Sequence, residues 1–203
     1  MENFRFLALH YLNDWCAYDS GFVKGLRPEG DRRTRLRKLR EVAIYYKVAR
    51  NFKMIVEDRL DGALTAIDAV RHPITRENVD STVRDLAENF RSVYGNNLIS
   101  ASSKFLWILH KAPLVIYDAR AICTLKSRGE KFGECDYKGY RKAWLAQFEI
   151  HEKFILQSCE QLIQVKDSSL AHAMADEELV SLVGNRWFHE RVFDKFLWWN
   201  GRG

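Results

Sequence analysis

Proline is scarce in this chain, and that scarcity limits what it can fold into more than any other sequence feature. Only Pro28, Pro73 and Pro113 occur among 203 residues. Proline breaks helices, so long stretches without it, many also free of glycine, favour α-helices. Apolar residues recur at spacings of three and four in these stretches, and no convincing run of alternating strand residues occurs. The sequence therefore predicts an all-α protein of about eight to ten helices.

Capping residues and breakers predict the helix boundaries in the first half of the chain. A short amphipathic helix is expected at Phe4–Tyr18, followed by a loop that contains Gly21. Asp31 is predicted to cap one long helix over residues 32–60, which Asp61-Gly62 then breaks.

The second half contains two further predicted caps. Ser100 or Ser102 is expected to cap a helix at Ser103–Lys111, which Pro113 stops. After an extended apolar link, Asp118 is expected to cap the next helix. The last helix, roughly Trp187–Asn200, is rich in aromatic residues and is predicted to end at Gly201.

The length and composition limit the class of protein. A chain of 203 residues and 23.8 kDa is long enough to bury a core. We expect one domain over residues 1–203, or two helical lobes with a cleft near residues 95–120. No apolar run approaches the ~18 residues of a membrane span. The four cysteines form no CxxC pair and lack zinc-ligand spacing, so we expect reduced thiols, a cytosolic protein, and neither a metal nor a cofactor.

Basic charge is concentrated in one segment. Lys24–Arg50 contains ten basic and three acidic residues, a net charge of +7 in a chain whose total is +5. A focused positive patch of this kind suits a polyanion such as DNA or RNA, because neutralising phosphates supplies much of the affinity. The segment Arg32–Arg40 is the expected backbone-contacting surface, with Arg32, Arg33 and Arg35 as the candidate contacts. A solvated helix face or internal partners for acidic helices would have the same pattern.

The stretch SSKFLWILHKAPLVIYDARA, residues 102–121, carries the most specific signal. Lys104 lies among apolar neighbours, and Asp118 closes an apolar run. Judged by residue type alone, Lys104 is an ordinary lysine at a helix end, and Asp118 is an ordinary helix N-cap. The order of lysine, helix, proline and IYDAR resembles helix–hairpin–helix DNA glycosylases, in particular compact bacterial proteins of the 8-oxoguanine-glycosylase-like group. The closing segment, Val192–Gly201, is also similar to the C-terminal helix of that group.

This resemblance implies a DNA glycosylase, with or without AP-lyase activity, that removes an oxidised or otherwise modified base from double-stranded DNA in repair or anti-phage defence. Lys104 would be the nucleophile and Asp118 its electrostatic partner. Relatives have a Gly-x-Gly turn before the lysine, whereas Ile99–Ser103 has no glycine. Serine hydroxyls and free N–H groups would then meet the DNA phosphate. The further binding candidates are Ser100, Ser102, Ser103, His110, Arg120 and Asp194.

The chemistry explains why an amine and a carboxylate would act in one reaction. A neutral amine can attack C1′ of an extruded nucleotide and then form a Schiff base. A position near a helix N-terminus and beside apolar groups would lower the pKa of Lys104 towards that neutral form. An ionised Asp118 would stabilise positive charge developing on the sugar.

Two other functions stay open at this stage. One is a non-catalytic helical module that binds nucleic acid through the basic segment. The other is a helical ribonuclease, because Arg5 and His10 match the Arg-x4-His spacing of one class of such enzymes. No obligate protein partner and no membrane association are expected from any of these patterns.

Overall fold

The computed structural model describes residues 3–52 and 57–201, and all regular secondary structure among them is helical. The all-α prediction is therefore confirmed for this part of the chain. A π-helical turn at Trp15–Asp19 and 3₁₀ segments at Ala49–Phe52 and Gln161–Ser168 connect some of the helices. The α-helices in chain order are α1 (Phe4–Asp14), α2 (Ser20–Gly25), α3 (Arg32–Tyr45), α4 (Glu57–Asp68), α5 (Val79–Tyr94), α6 (Ile99–His110), α7 (Ala119–Ser127), α8 (Tyr137–Glu160), α9 (Asp176–Val183) and α10 (Arg186–Asn200).

The chain forms two compact units. The terminal unit comprises Met1–Ser20 and Asp118–Gly203, and the middle unit comprises Gly21–Tyr117. In the terminal unit, α1 packs against α8 and α10, and α7 packs against α10. In the middle unit, α3 packs against α4, and α5 packs against α4 and α6.

Aromatic side chains fill the core of the terminal unit. Trp144 and Phe148 are one turn apart on α8, and their rings stack with centroids 5.3 Å apart. Phe193 of α10 meets the Trp144 ring edge-on at 5.0 Å, an arrangement that aromatic quadrupoles favour. The aromatic-rich C-terminal helix is thus mainly a core element, with Phe188, Phe193 and Phe196 buried.

The long helix predicted over residues 32–60 is wrong. Helix α3 ends at Tyr45, and Lys47 has a left-handed φ of 56°. Arg32 binds Asp61, with Nε 2.8 Å from Oδ1. In one continuous helix these residues would lie about 43 Å apart, so this ion pair requires the chain to turn back. The break predicted at Asp61-Gly62 is also wrong, because α4 continues through both residues.

The loop predicted to contain Gly21, Gly25, Pro28 and Gly30 starts later than expected, because α2 covers Gly21 and Gly25, whereas Pro28 and Gly30 lie in a non-helical segment as predicted. The chain stays helical from α1 into α2 through the π-helical turn at Trp15–Asp19. The extra residue of a π turn changes the direction of the side chains that follow it. Asp19 is fully buried, where its carboxylate accepts a hydrogen bond from the Tyr11 hydroxyl at 3.4 Å.

The predicted caps have mixed outcomes. Asp31 and Asp118 cap α3 and α7 as predicted, since their carboxylates accept from the N–H groups of Thr34 and Arg120. The serine cap of α6 is wrong. That helix begins at Ile99 with Leu98 at its N-cap, so the predicted serines lie within it.

No helix in residues 3–52 or 57–201 combines the length and the apolar character that crossing a membrane requires.

Candidate active site

Lys104 lies on α6 in the middle unit and is almost fully buried, with 4 % of its surface exposed. Its amine donates a hydrogen bond to Ser100 Oγ at 3.1 Å, one turn earlier on the same helix. It also lies 3.4 Å from the carbonyl oxygen of Tyr46, just after α3 ends. Carbonyls at a helix C-terminus lack intrahelical donors, so this contact also serves α3 structurally.

The three candidate serines face inward to different degrees. Ser102 and Ser103 are fully buried, whereas Ser100 is partly exposed. The Ser103 hydroxyl donates to the Ser100 carbonyl at 3.1 Å and accepts from the Tyr117 N–H at 3.0 Å. Ser103 therefore holds Tyr117, the last residue of the middle unit, against α6, a structural role that the sequence did not suggest.

Asp118 belongs to the terminal unit and is partly exposed. Its extended backbone, with φ −135° and ψ 138°, is typical of an N-cap residue. Oδ1 accepts a hydrogen bond from the Arg120 N–H at 3.0 Å, and the Tyr140 phenol hydrogen-bonds the Asp118 backbone. Because Lys104 and Asp118 lie in different units, their pairing stays a prediction.

Asp194 is buried on α10 inside the terminal unit. Trp144 Nε1 donates to Oδ1 at 2.8 Å, and Arg191 Nη1 donates to Oδ2 at 2.9 Å. Burial raises the pKa of Asp194 to about 6, against the lowering effect of Arg191 and Trp144. Both carboxylate oxygens are thus occupied within the protein, which disfavours the predicted direct contact with a base.

Arg120 is partly exposed, and His110 is exposed. The Arg120 guanidinium lies 4.2 Å from the centroid of the Trp198 ring, which is a cation–π contact. His110 is the last residue of α6, and partial desolvation by the surrounding protein together with nearby His72 lowers the pKa of its imidazole.

The predicted DNA-contacting arginines divide into internal and exposed ones. Arg35 is buried, and its guanidinium makes two hydrogen bonds to the Asp68 carboxylate at 2.9 and 2.5 Å. It thus lies in the core of the middle unit instead of on the DNA-contacting surface predicted for it. Arg32 is exposed but paired with Asp61.

An exposed stripe of arginines on α3 lies within the basic segment Arg32–Arg40, which the sequence predicts as a DNA-contacting surface. Arg33, Arg37 and Arg40 are exposed and fall within about 60° of one another around the helix, over about 10 Å of its length. No ion pair joins any of the three to another side chain that the structure describes, that is, within residues 3–50 and 60–201. Of these three residues, the sequence pattern had singled out only Arg33 individually. Arg37 and Arg40 follow Arg33 at spacings of four and three residues, which places all three on one side of a helix. This spacing would have identified them if the opposite, apolar side of α3 had been taken as its buried side.

The ribonuclease pattern meets a different environment. His10 Nδ1 lies 3.4 Å from Asp14 Oδ2, and Asp14 is also bound by Lys195. Arg5 is exposed one and a half turns earlier and lines a small groove with Phe6. The imidazole and the guanidinium therefore have separate neighbours.

No group of three or more His, Cys, Asp or Glu side chains within the described ranges is arranged to hold a metal ion. All four cysteines are free thiols.

Comparisons with known proteins add no relative. No protein-family model matches the chain, and neither a curated protein nor a solved structure matches it.

Proposed function

We propose that this protein is a DNA glycosylase in which Lys104 supplies the nucleophile and Asp118 the stabilising carboxylate. The observation that carries the proposal is the buried Lys104 amine, held by Ser100 Oγ and the Tyr46 carbonyl. Lysine is rarely buried without a specific reason. The resemblance of residues 102–121 to helix–hairpin–helix glycosylases supports a catalytic reason.

The proposed reaction begins with attack of the neutral Lys104 amine on C1′ of an extruded nucleotide. A nitrogen–carbon bond forms while the N-glycosidic bond breaks, and the base leaves with the bonding electrons and takes up a proton. Opening of the sugar ring then gives an iminium ion. Loss of a C2′ proton expels the 3′-phosphate, which cuts the strand.

Asp118 stabilises the positive charge that develops on the sugar as the base leaves. Its hydrogen bond from the Arg120 N–H holds one carboxylate oxygen in place. A carboxylate fixed before the reaction needs no reorganisation when charge develops, so it contributes more than a mobile one.

The exposed stripe Arg33, Arg37 and Arg40 supports nucleic acid as the substrate class. Three exposed guanidinium groups on one helix face can each contact a phosphate of the DNA backbone. These contacts position the protein without selecting a sequence.

Borohydride trapping tests the nucleophile. Reduction of the iminium gives a stable secondary amine that links protein to DNA, so wild type should form a covalent adduct with a duplex containing 8-oxoguanine or another modified base. Lys104→Gln should abolish the adduct, whereas Lys153→Gln, at an exposed lysine, should leave it unchanged. If the protein neither forms a trapped adduct nor excises a base across a panel of modified bases, the proposed glycosylase activity is refuted.

Asp118→Asn tests the carboxylate with little structural change, because asparagine is also a good N-cap. We expect base excision to fall by about 100-fold at unchanged Tm. The matched control is Asp136→Asn, which replaces the N-cap of α8, where Asp136 Oδ1 accepts from Gly139 N–H at 2.9 Å. Equal effects of the two substitutions would assign Asp118 a capping role only.

The arginine stripe also favours a second function, a module that binds nucleic acid without catalysis. Salt-dependent DNA binding by a protein that neither traps nor excises would establish this alternative.

A further inference from the structure

The terminal unit holds a second carboxylate near Asp118, and the reaction proposed above leaves it without a role. Asp194 is buried on α10, with Trp144 Nε1 2.8 Å from one oxygen and Arg191 Nη1 2.9 Å from the other. Donors on two different helices therefore fix its orientation. A carboxylate held in this way cannot swing out to bind a substrate.

Helix α8 connects Asp194 to Asp118. Tyr140 and Trp144 are four residues apart on α8, so their side chains are neighbours on one face. Trp144 binds the Asp194 carboxylate, and the Tyr140 phenol hydrogen-bonds the Asp118 backbone. Two successive turns of one helix thus hold the cap of α7 and the carboxylate of α10.

Packing between α7 and α10 brings the same two residues together from the other side. Arg120, two residues after Asp118, lies over the Trp198 ring, one turn beyond Asp194. Further along, Thr124 Oγ1 donates to the Leu197 carbonyl at 2.7 Å. The start of α7 is therefore held against the part of α10 that follows Asp194.

We propose that Asp194 is a positioning residue that acts through Asp118: its buried negative charge adds to the field with which Asp118 stabilises positive charge on the sugar. The inference rests on the proposed function. Asp194 itself does not touch the DNA, because both of its oxygens are bound inside the unit. Charges interact more strongly in a low-dielectric interior than in water, so a buried carboxylate can contribute without contact.

This role predicts a pH dependence. The pKa of Asp194 is raised to about 6, chiefly by burial. Above that pH the carboxylate is charged and strengthens the field, whereas below it the group is neutral and contributes little. The excision rate should therefore rise as pH increases through about 6. The titratable and charged groups around Asp194 are Tyr11, Asp19, Asp118, Tyr140, Glu190 and Arg191.

The first test measures single-turnover excision by wild type and Asp194→Asn between about pH 5 and pH 8. We expect the substitution to abolish the rise near pH 6 and to lower the rate at pH 8 about tenfold. The KM should stay the same because Asp194 does not contact DNA. If Asp194→Asn has the same pH profile and the same excision rate as wild type, the inference is overturned.

A second variant keeps the charge, in case Asp194→Asn folds poorly. Trp144→Phe keeps an aromatic ring in the core but removes the N–H that stabilises the Asp194 carboxylate. The rise in rate should then move to higher pH, because ionisation of Asp194 becomes harder. A rise at the wild-type pH would contradict the proposed coupling.

An NMR titration separates failure of this inference from failure of the proposed function, because it needs no activity. The carboxyl ¹³C resonance of Asp118 should respond to pH near 6 in wild type and lose that response in Asp194→Asn. If wild type excises no base, the glycosylase proposal fails, and this resonance alone decides whether the two carboxylates are coupled. If the Asp118 resonance shows the same response near pH 6 in both proteins, the inference is overturned.

Discussion

Replacing Arg33, Arg37 and Arg40 together with glutamine removes three charges from one face of α3 and should change how salt affects DNA binding. The three side chains are exposed, and none forms an ion pair with a side chain described within residues 3–50 and 60–201, so the substitutions break no ion pair there. Glutamine keeps most of the side-chain length and helix propensity. The folded structure and its Tm should therefore stay the same.

The size of the change follows from counterion release. Each phosphate that a protein neutralises on double-stranded DNA contributes about −0.9 to the slope of log K against log salt concentration. If all three arginines contact phosphates, the slope should become shallower by about 2.7. Between about 50 and 200 mM salt, wild type would then lose about 40-fold more affinity than the triple variant.

Fluorescence anisotropy with a labelled duplex at a series of salt concentrations measures this slope. The control is the triple variant Arg76→Gln, Arg84→Gln and Arg91→Gln, which removes the same charge from exposed positions in the same unit. A control slope close to that of wild type shows that the position of the charges matters. An equal change of slope in both triple variants would refute the stripe as a contact surface and leave only a net-charge effect.

Three further predictions concern stability. Asp68→Asn leaves the buried Arg35 guanidinium without its carboxylate and should cost about 2 kcal/mol, a fall in Tm of about 5 °C that calorimetry can measure. Gly21→Ala places a methyl group in a helix with no other atom within 4 Å, so this substitution should stabilise the protein by about 0.5 kcal/mol. In the matched substitution Gly201→Ala, the methyl group would lie 2.1 Å from the Arg120 carbonyl oxygen in α7, so this substitution should destabilise the protein. Although burial opposes it, the His10 imidazole and the Lys195 ammonium lower the pKa of Asp14 to about 2. This carboxylate should therefore contribute about 2 kcal/mol to the free energy of unfolding above pH 4, a contribution that is lost as the pH falls towards 2. Asp14→Asn should flatten that part of a pH–stability curve from urea unfolding, and an unchanged curve would contradict the assignment.

The predictable parts of this structure depend on residues close together in the chain. Asp31 and Asp118 cap their helices as predicted because an N-cap carboxylate needs only an N–H two or three residues further on. Gly201 likewise ends α10 as predicted. Helical content follows from the scarcity of proline and from apolar periodicity, which are also local properties.

The predictions that are wrong involve contacts between distant residues. Residues 32–60 have helical spacing throughout, yet the chain turns back so that Arg32 and Arg35 meet Asp61 and Asp68. A periodic pattern describes which side chains are apolar but does not say which helix each of them faces. For the same reason, the inward role of Arg35 could not be separated from the outward role of Arg33.

The candidate site shows the same division. The sequence alone identified an all-α chain, a concentrated basic segment, and a lysine and a capping aspartate of unusual context. Only the tertiary structure showed that the Lys104 amine is buried, that three arginines form one exposed stripe, and that Asp194 is held by Trp144 and Arg191. Burial and electrostatic environment are determined by packing among residues far apart in the chain, such as Trp144 and Asp194, which are 50 positions apart, and no local pattern encodes that packing.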